Sequence, residues 1–581
     1  MKKAYTFIIL ASCMLSVSCN KSLDIPCESI DSKDEHEQKT FVAQFDTPVT
    51  IDPSTRTALG SDGLAVSWTL GDKISIVASD GVSFSDYTLK DTDAGKQAGN
   101  FTGYSPANSN SGFFGVYPNK SSYSLSGNVI SGLVVPAHQH AVKGSFDPAA
   151  AVMTSYTENN TMVFKHACSF VRIEVGDDMN YLMRITLESI KNDKTPGGRE
   201  IAGTFDATVN KSGDDQSVCA ISNVTSASTK IILEPSSGDV IEPGVYYIAV
   251  LPGSLDYGFE VRFETVLKSY MRRLAKKKDL NRAVINNLGK FLDTNPWTWT
   301  EEKPQEVLYS GSFSSNGVNS MHFSTGNLQA VFDGSGYTFR LAPEQFEYVG
   351  DATTTGNYKL AKSQTLSNGD TVDMFAWTQN GMYTDGVKQY GITNVTGNGS
   401  SPNWNLYNND ASSLEVCDWA GKYKTDSGSS REWRMMTVAE WRYVLYENTK
   451  AKSAVKCTIT LPSGSTVAGQ STVTGYWIHP DGSNKWDSSA PSTISDMNDF
   501  YTWVAKGCMF LPIYGFMLGS NTVSATEKSK GYYWTSEAKS TGATGKNNKW
   551  NPYAAVTPSS YLDQGAARRC FVRLVTNELV D

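Results

Sequence analysis

Short runs in which apolar and polar side chains alternate, each closed by a cluster of Gly, Asp, Asn or Pro, recur roughly every ten residues through the first half of this chain. A period of two sends successive side chains to opposite faces of a strand, so such runs must pair with one another and bury one face. Thr40–Phe45, Ala65–Trp68 and Lys73–Val77 open the series, with Leu70-Gly71-Asp72 as a turn between the last two. Gly112–Tyr117, Ser169–Val175, Tyr181–Leu187, Lys230–Leu233, Val245–Val250 and Phe259–Thr265 continue it. Charged residues make up only 19% of the chain, and 48 Gly, 28 Tyr, 24 Phe and 13 Trp favour pleated strands joined by tight turns. At 581 residues the chain exceeds one hydrophobic core, and about 150 residues per domain predicts three or four compact units. The expected class is mainly β.

The N-terminus predicts export. Lys2 and Lys3 precede an apolar stretch, Ala4–Ser18, too short to span a bilayer, and Leu15-Ser16-Val17-Ser18-Cys19 is a loose lipobox. Residues 1–19 therefore read as a lipoprotein signal peptide, with Cys19 the acylated residue. Leu10-Ala11-Ser12-Cys13 is a tighter lipobox but leaves an apolar region of only about eight residues. Acyl chains contribute about 0.8 kcal/mol per buried CH₂, enough for stable anchoring when two or three share one residue. Residues 20–38 are polar and predict a flexible tether. Cys168, Cys219, Cys417, Cys457, Cys508 and Cys570 fall in the folded part; disulfides and buried free thiols both fit their spacing, which contains no metal pattern.

A net charge of −8 gives no whole-chain footprint for nucleic acid, and the basic run Arg272–Lys278 reads as a solvated strand and turn. Six histidines occur, none in a protease or nucleophile motif; His138-Gln139-His140 reads as an exposed loop after Pro136, and His166 as a strand histidine. No cofactor or metal is expected. Residues 293–306 break the strand rhythm with Pro296, Pro304 and charges, predicting a linker. Beyond it, Thr437-Val438-Ala439-Glu440 is a capping box, and Val438, Trp441 and Leu445 share one face of a helix expected over Thr437–Asn448. Short strands are expected at Cys508–Leu511, Gly531–Thr535 and Cys570–Val575.

The first half resembles the fimbrillin-like surface lipoproteins of Gram-negative gut and oral anaerobes. The marks are the Phe41-Val42-Ala43 strand, Ser54-Thr55-Arg56-Thr57, Trp68 followed by Gly71-Asp72-Lys73-Ile74, Phe164–Ile173, Ile201-Ala202-Gly203 and Val250-Leu251-Pro252-Gly253. The resemblance implies two transthyretin-like β-sandwiches, here 39–178 and 179–292, split near Asp177–Asn180. It also implies assembly by strand donation: cleavage at an arginine, for which Arg56 is the candidate, frees a leading strand, and a strand of the next pilus subunit fills the groove by β-augmentation.

The second half, 307–581, resembles a C-type-lectin-like α+β domain shared by bacterial surface proteins and formylglycine-generating enzymes. Its marks include Phe323–Gln329, Trp433–Trp441, Phe510-Leu511-Pro512, Gly531–Ser536 and Val572–Val575. The carboxylate-amide pair flanking a proline that calcium-dependent lectins use is not found, and Asp496–Asp499 reads as a solvated loop. Cys508 and Cys570, on what read as core strands, are a candidate disulfide or two buried thiols. Trp477, Trp486 and Trp503 are candidate ligand-contact aromatics, with burial in the core the competing reading for each. The expected protein is a non-enzymatic, lipid-anchored outer-membrane or fimbrial surface protein acting in adhesion or pilus assembly. Its expected partners are the membrane, other pilus subunits, and a glycan or surface protein. The alternatives are a surface-anchored enzyme of the cysteine-modifying kind and a non-polymerising accessory lipoprotein.

Overall fold

The computed structural model describes residues 38–46, 50–51, 67–104, 111–235, 239–294, 299–314, 320–334, 337–350, 368–375, 419–427, 431–447, 455–481, 491–518, 523, 527–540, 550–557, 560–563 and 568–577. Strands dominate throughout, as the alternating pattern requires.

The first unit is a closed barrel. Its strands are β1 (Gln38–Phe45), β3 (Lys73–Ala78), β4 (Ser85–Leu89), β5 (Ala98–Tyr104), β6 (Phe113–Tyr117), β7 (Met153–Thr157) and β8 (Thr161–His166), and a short β2 (Thr50–Ile51) lies outside it. The order around the barrel is β1-β8-β7-β6-β3-β4-β5. Closure leaves no free edge, and the inward face is aromatic: Phe41, Trp68, Tyr87, Phe101, Phe113, Tyr117 and Phe164 fill it. Trp68, expected on a strand, instead lies in a loop pinned by Trp68 N to Lys96 O and Gly95 N to Trp68 O.

The next sheets cross the expected split near Asp177–Asn180. Val129–Val135 pairs with Ala202–Val209, and His138–Ala141 runs parallel to Lys230–Pro235. These segments precede the split in sequence yet belong to the second unit, because a barrel already closed by seven strands offers them no edge. One core gathers Leu133, Phe170, Phe205, Ile231, Ile248, Phe263 and Phe291 from these sheets. His138-Gln139-His140 is thus an edge strand, with both histidines outward and Gln139 buried, its amide donating to Ala249 O at 2.7 Å and accepting from Ala249 N at 3.0 Å.

The expected linker is partly built into the fold. Trp299 packs on Phe263, Tyr270 and Phe291 and donates its indole N–H to Leu292 O at 3.0 Å. Glu301–Pro304 then joins the six-stranded sheet as an edge strand against Lys268–Leu274. Pro304 ends that strand, where a missing N–H is tolerated. Arg272–Lys278 runs from that neighbouring strand into a turn, as expected, although Arg273 reaches in to the fully buried Glu260 at 2.8 Å.

A polar ladder ties the middle of the chain to the C-terminal half. Arg184 pairs with Glu264 at 3.1 Å and lies over the Tyr309 ring, whose hydroxyl donates to Glu264 and accepts from Arg431. Beyond it most strands are short, and three α-helices appear among the described residues: α1 (Ala420–Ser427), α2 (Val438–Arg442) and α3 (Met497–Ala505). The capping box forms as read: Thr437 Oγ1 accepts from Glu440 N, Glu440 Oε2 accepts from Thr437 N, and Trp441 is fully buried. The helix expected to Asn448 widens instead into a π-turn over Tyr443–Glu447. Asp496–Asp499, expected as a loop, is the start of α3, with Asp496 capping Asn498 N.

Candidate functional site

The strand β1 is paired along both of its edges and packs its inward side chains on an aromatic core. In β1 the inward residues are Phe41, Ala43 and Phe45, a large-small-aromatic alternation at spacing two. On one side β1 runs antiparallel to β5, from Gln38 opposite Tyr104 to Gln44 opposite Ala98. On the other it runs parallel to β8, from Val42 opposite Thr161 to Phe45 opposite Phe164. Main-chain bonds on both edges hold it whatever its side chains are, and the pockets beneath decide which side chains fit.

Three pockets can be read off the contacts. Phe41 sits edge-on to Tyr87 and Phe113 with centroids 5.4 and 5.0 Å away, and Lys39 covers Phe113 at 3.9 Å. Ala43 lies under Trp68, whose indole N–H donates to the Ala43 carbonyl at 3.0 Å. Opposite Ala43 stands Gly99, where an added Cβ would come within 2.5 Å of Leu89 and 3.3 Å of the Trp68 ring. Leu89 and the indole together thus fill the space that a side chain at 99 would need, opposite Ala43. Phe45 stacks on the same indole at 4.2 Å, and beyond it Asp46 N bonds Phe164 O while its carboxylate lies 3.7 Å from Lys165 Nζ. The expected consequence of Trp68→Phe is a loss of roughly 1–2 kcal/mol in the free energy that opens β1, because a buried carbonyl is left without its donor. Amide exchange at Ala43 and Phe45 reads this directly, and unchanged protection would count against the pocket.

Cys19, Arg56 and Trp486 lie outside the described residues. Trp477, considered as a ligand contact, is instead core: fully buried, with Phe500 and Phe510 each 5.0 Å away, because its strand Thr472–Ile478 lies between two others of one sheet. Trp503 is half-buried on α3, with Lys506 Nζ 4.7 Å from its ring. Cys508 and Cys570 are fully buried and stand as thiols, not as a disulfide. Cys508 instead meets His479 Nδ1 at 3.3 Å, and burial pushes its thiol well above the ordinary range. His138 Nδ1 lies 3.8 Å from Glu234, and among the described residues no three His, Cys, Asp or Glu gather as a metal site.

Two features escaped the sequence reading. The Phe41-x-Ala43-x-Phe45 spacing was present in the strand, but nothing in the sequence joined Trp68 to it. A shallow polar cleft of about 270 Å³ in the C-terminal half gathers Gln329, Arg340, Glu347, Asp370, Thr371 and Thr466 from segments far apart in the chain. There Arg340 Nε donates to Gln329 at 3.1 Å.

The fold and groove define a predominantly β protein of several sheets whose N-terminal strand is seated between two others of a barrel. No family model matches the chain and no curated protein matches it. Among solved structures, it is similar to a candidate cell adhesion protein of Bacteroides ovatus, at 11% identity over 46% of this chain and 97% of that one, with a TM-score of 0.26. A candidate cell adhesion protein of Bacteroides uniformis matches at 14% identity over 41% of this chain and 92% of that one, with a TM-score of 0.26. A fimbrial protein of Bacteroides ovatus matches at 12% identity over 93% of this chain and all of that one, with a TM-score of 0.22. Scores at this level fall short of a shared overall arrangement.

Proposed function

We propose that this chain is a cell-surface lipoprotein of the pilus or fimbria type, anchored in the outer membrane through Cys19 and acting in adhesion or pilus assembly. The observation that carries the reading is the seating of β1. It closes a barrel from between β5 and β8, and β2, which pairs with Val284–Ile285 of the next unit, follows it before Arg56 in sequence. Cleavage after Arg56 would detach both strands from the folded chain and leave two open main-chain edges over an aromatic floor. A strand from a partner subunit restores those bonds by β-augmentation.

The C-terminal half is the recognition head in this reading, a C-type-lectin-like domain that meets a glycan or a surface protein. The polar cleft around Arg340 and Asp370 presents hydrogen-bonding groups to such a ligand, while Trp477 is withdrawn into the core. The burial of both C-terminal thiols counts against the enzyme of the cysteine-modifying kind, since a reactive cysteine needs access.

Mass spectrometry of the protein taken from intact cells tests the assembly reading. An N-terminus at Thr57 is the expected result for the assembled form. A population made up wholly of acylated Cys19 chains that retain Gln38–Phe45 would overturn strand release.

A further inference from the structure

We propose that the groove under β1 is selective: it accepts a partner strand only if three alternate inward positions are large, small and aromatic, and Trp68 is the residue that imposes this. The inference rests on the strand-exchange reading above and specifies the partner that reading leaves open.

The middle position is the restrictive one. Trp68 borders it directly: its N–H holds the Ala43 carbonyl at 3.0 Å, and its ring stacks on Phe45 at 4.2 Å. Its ring also meets Phe101 at 4.8 Å, and an added Cβ at Gly99 would stand 3.3 Å from it and 2.5 Å from Leu89. The indole is only 1% exposed and wedged between Phe101, Tyr117 and Phe164, so it cannot move aside for a larger side chain at 43. The first pocket, walled by Tyr87 and Phe113, is deep enough to bury Phe41 entirely. The third takes an aromatic because the indole offers it a stacking face.

The pattern also bears on where the strand comes from. Among the described residues, Phe113-Phe114-Gly115-Val116-Tyr117 and Ile201-Ala202-Gly203-Thr204-Phe205 repeat it, with the first, third and fifth residue of each buried. The first is β6, whose edges are taken by β3 and β7, and the second runs into Ala202–Val209, whose edges are taken by Val129–Val135 and Cys219–Ser228. Neither can be withdrawn without dismantling its own sheet, which favours as occupant an extended segment of another polypeptide, running parallel to β8 as β1 does.

The test uses residues 20–581 as a soluble chain, with a specific protease site in place of 52–56 and cleavage after purification. Labelled eight-residue peptides compete for the groove once the cut leader has dissociated, and anisotropy reads occupancy. The Gln38–Phe45 peptide and its Thr40→Ala form, altered at an exposed position, are expected to bind equally within about twofold. Ala43→Leu is expected to bind roughly 10- to 100-fold more weakly, as one oversize group in a packed site does, and Phe45→Ala about tenfold more weakly. Because the changes lie in the peptide, the folding of the barrel is not at stake. Entry of the Ala43→Leu peptide with native affinity would overturn the selectivity alone. Failure of the native peptide to enter, or of the cut leader to leave, would overturn strand exchange itself.

Discussion

Replacing Arg573 with Ala should destabilise the C-terminal half by roughly 3–5 kcal/mol, the cost of stripping a hydrogen-bonded partner from a buried network. The guanidinium is fully buried and donates to Asn327 Oδ1 and Ser324 O at 3.0 Å, Gln345 O at 3.1 Å and Phe510 O at 3.2 Å. Three separate stretches of chain thus converge on one side chain. Its removal leaves three main-chain carbonyls and an amide without that donor in a dry core, where each unmade bond costs about 1–3 kcal/mol. Arg573→Lys should recover part of the loss, since an ammonium cannot fork to four acceptors. The later unfolding transition, followed by calorimetry with the barrel as an internal control, measures it. A change within about 1 kcal/mol would mean that the convergence is incidental.

The C-terminal half should also lose stability as pH rises from about 5 to 8. Asp373 is fully buried, its Oδ2 accepts from Val349 N at 2.7 Å and its Oδ1 has no hydrogen bond. Burial pushes its carboxyl from the ordinary carboxylate range up to about 7. A carboxyl that holds its proton in the fold but releases it when unfolded contributes fully below the unfolded pKa, and that contribution is lost as pH rises through the folded one. At about 1.4 kcal/mol per unit, the roughly two units of that window lying above pH 5 make the loss between pH 5 and 8 on the order of 3 kcal/mol. Glu344 adds to the same slope: burial pushes it up to about 7, although the Tyr501 hydroxyl 2.9 Å away pulls the other way. Asp373→Asn should flatten much of the profile, and the double variant with Glu344→Gln more of it. Urea unfolding at pH 5, 6, 7 and 8 decides the matter; a wild-type stability that is constant or rising over this range would refute it.

Both residues show where sequence reading stops. Val572-Arg573-Leu574-Val575 reads as a core strand, and so it is, but nothing in those letters says that the arginine points inward. Asp373 looks like any polar residue near a turn until Val349 is folded over it. The same holds for Trp477, which flanks a polar segment in sequence and is sealed by Phe500 and Phe510 in space. By contrast, the capping box at Thr437 was legible because all its partners lie within four residues.

Local chemistry by itself determined the strand-rich class, the placement of most individual strands in the first half, the capped helix at Val438, and the inward face of β1. Only the tertiary structure decided which strands meet. The seating of β1 between β5 and β8, the passage of Val129–Ala141 into the second unit and the recruitment of Glu301–Pro304 to its sheet all depend on pairings distant in sequence. A two-residue period encodes which face of a strand is buried, but the ladder that joins strands is made of main-chain groups common to every residue. Partner and register are therefore settled where pockets meet side chains, as Trp68 meets Ala43 and Phe45, and such meetings exist only once the chain has closed.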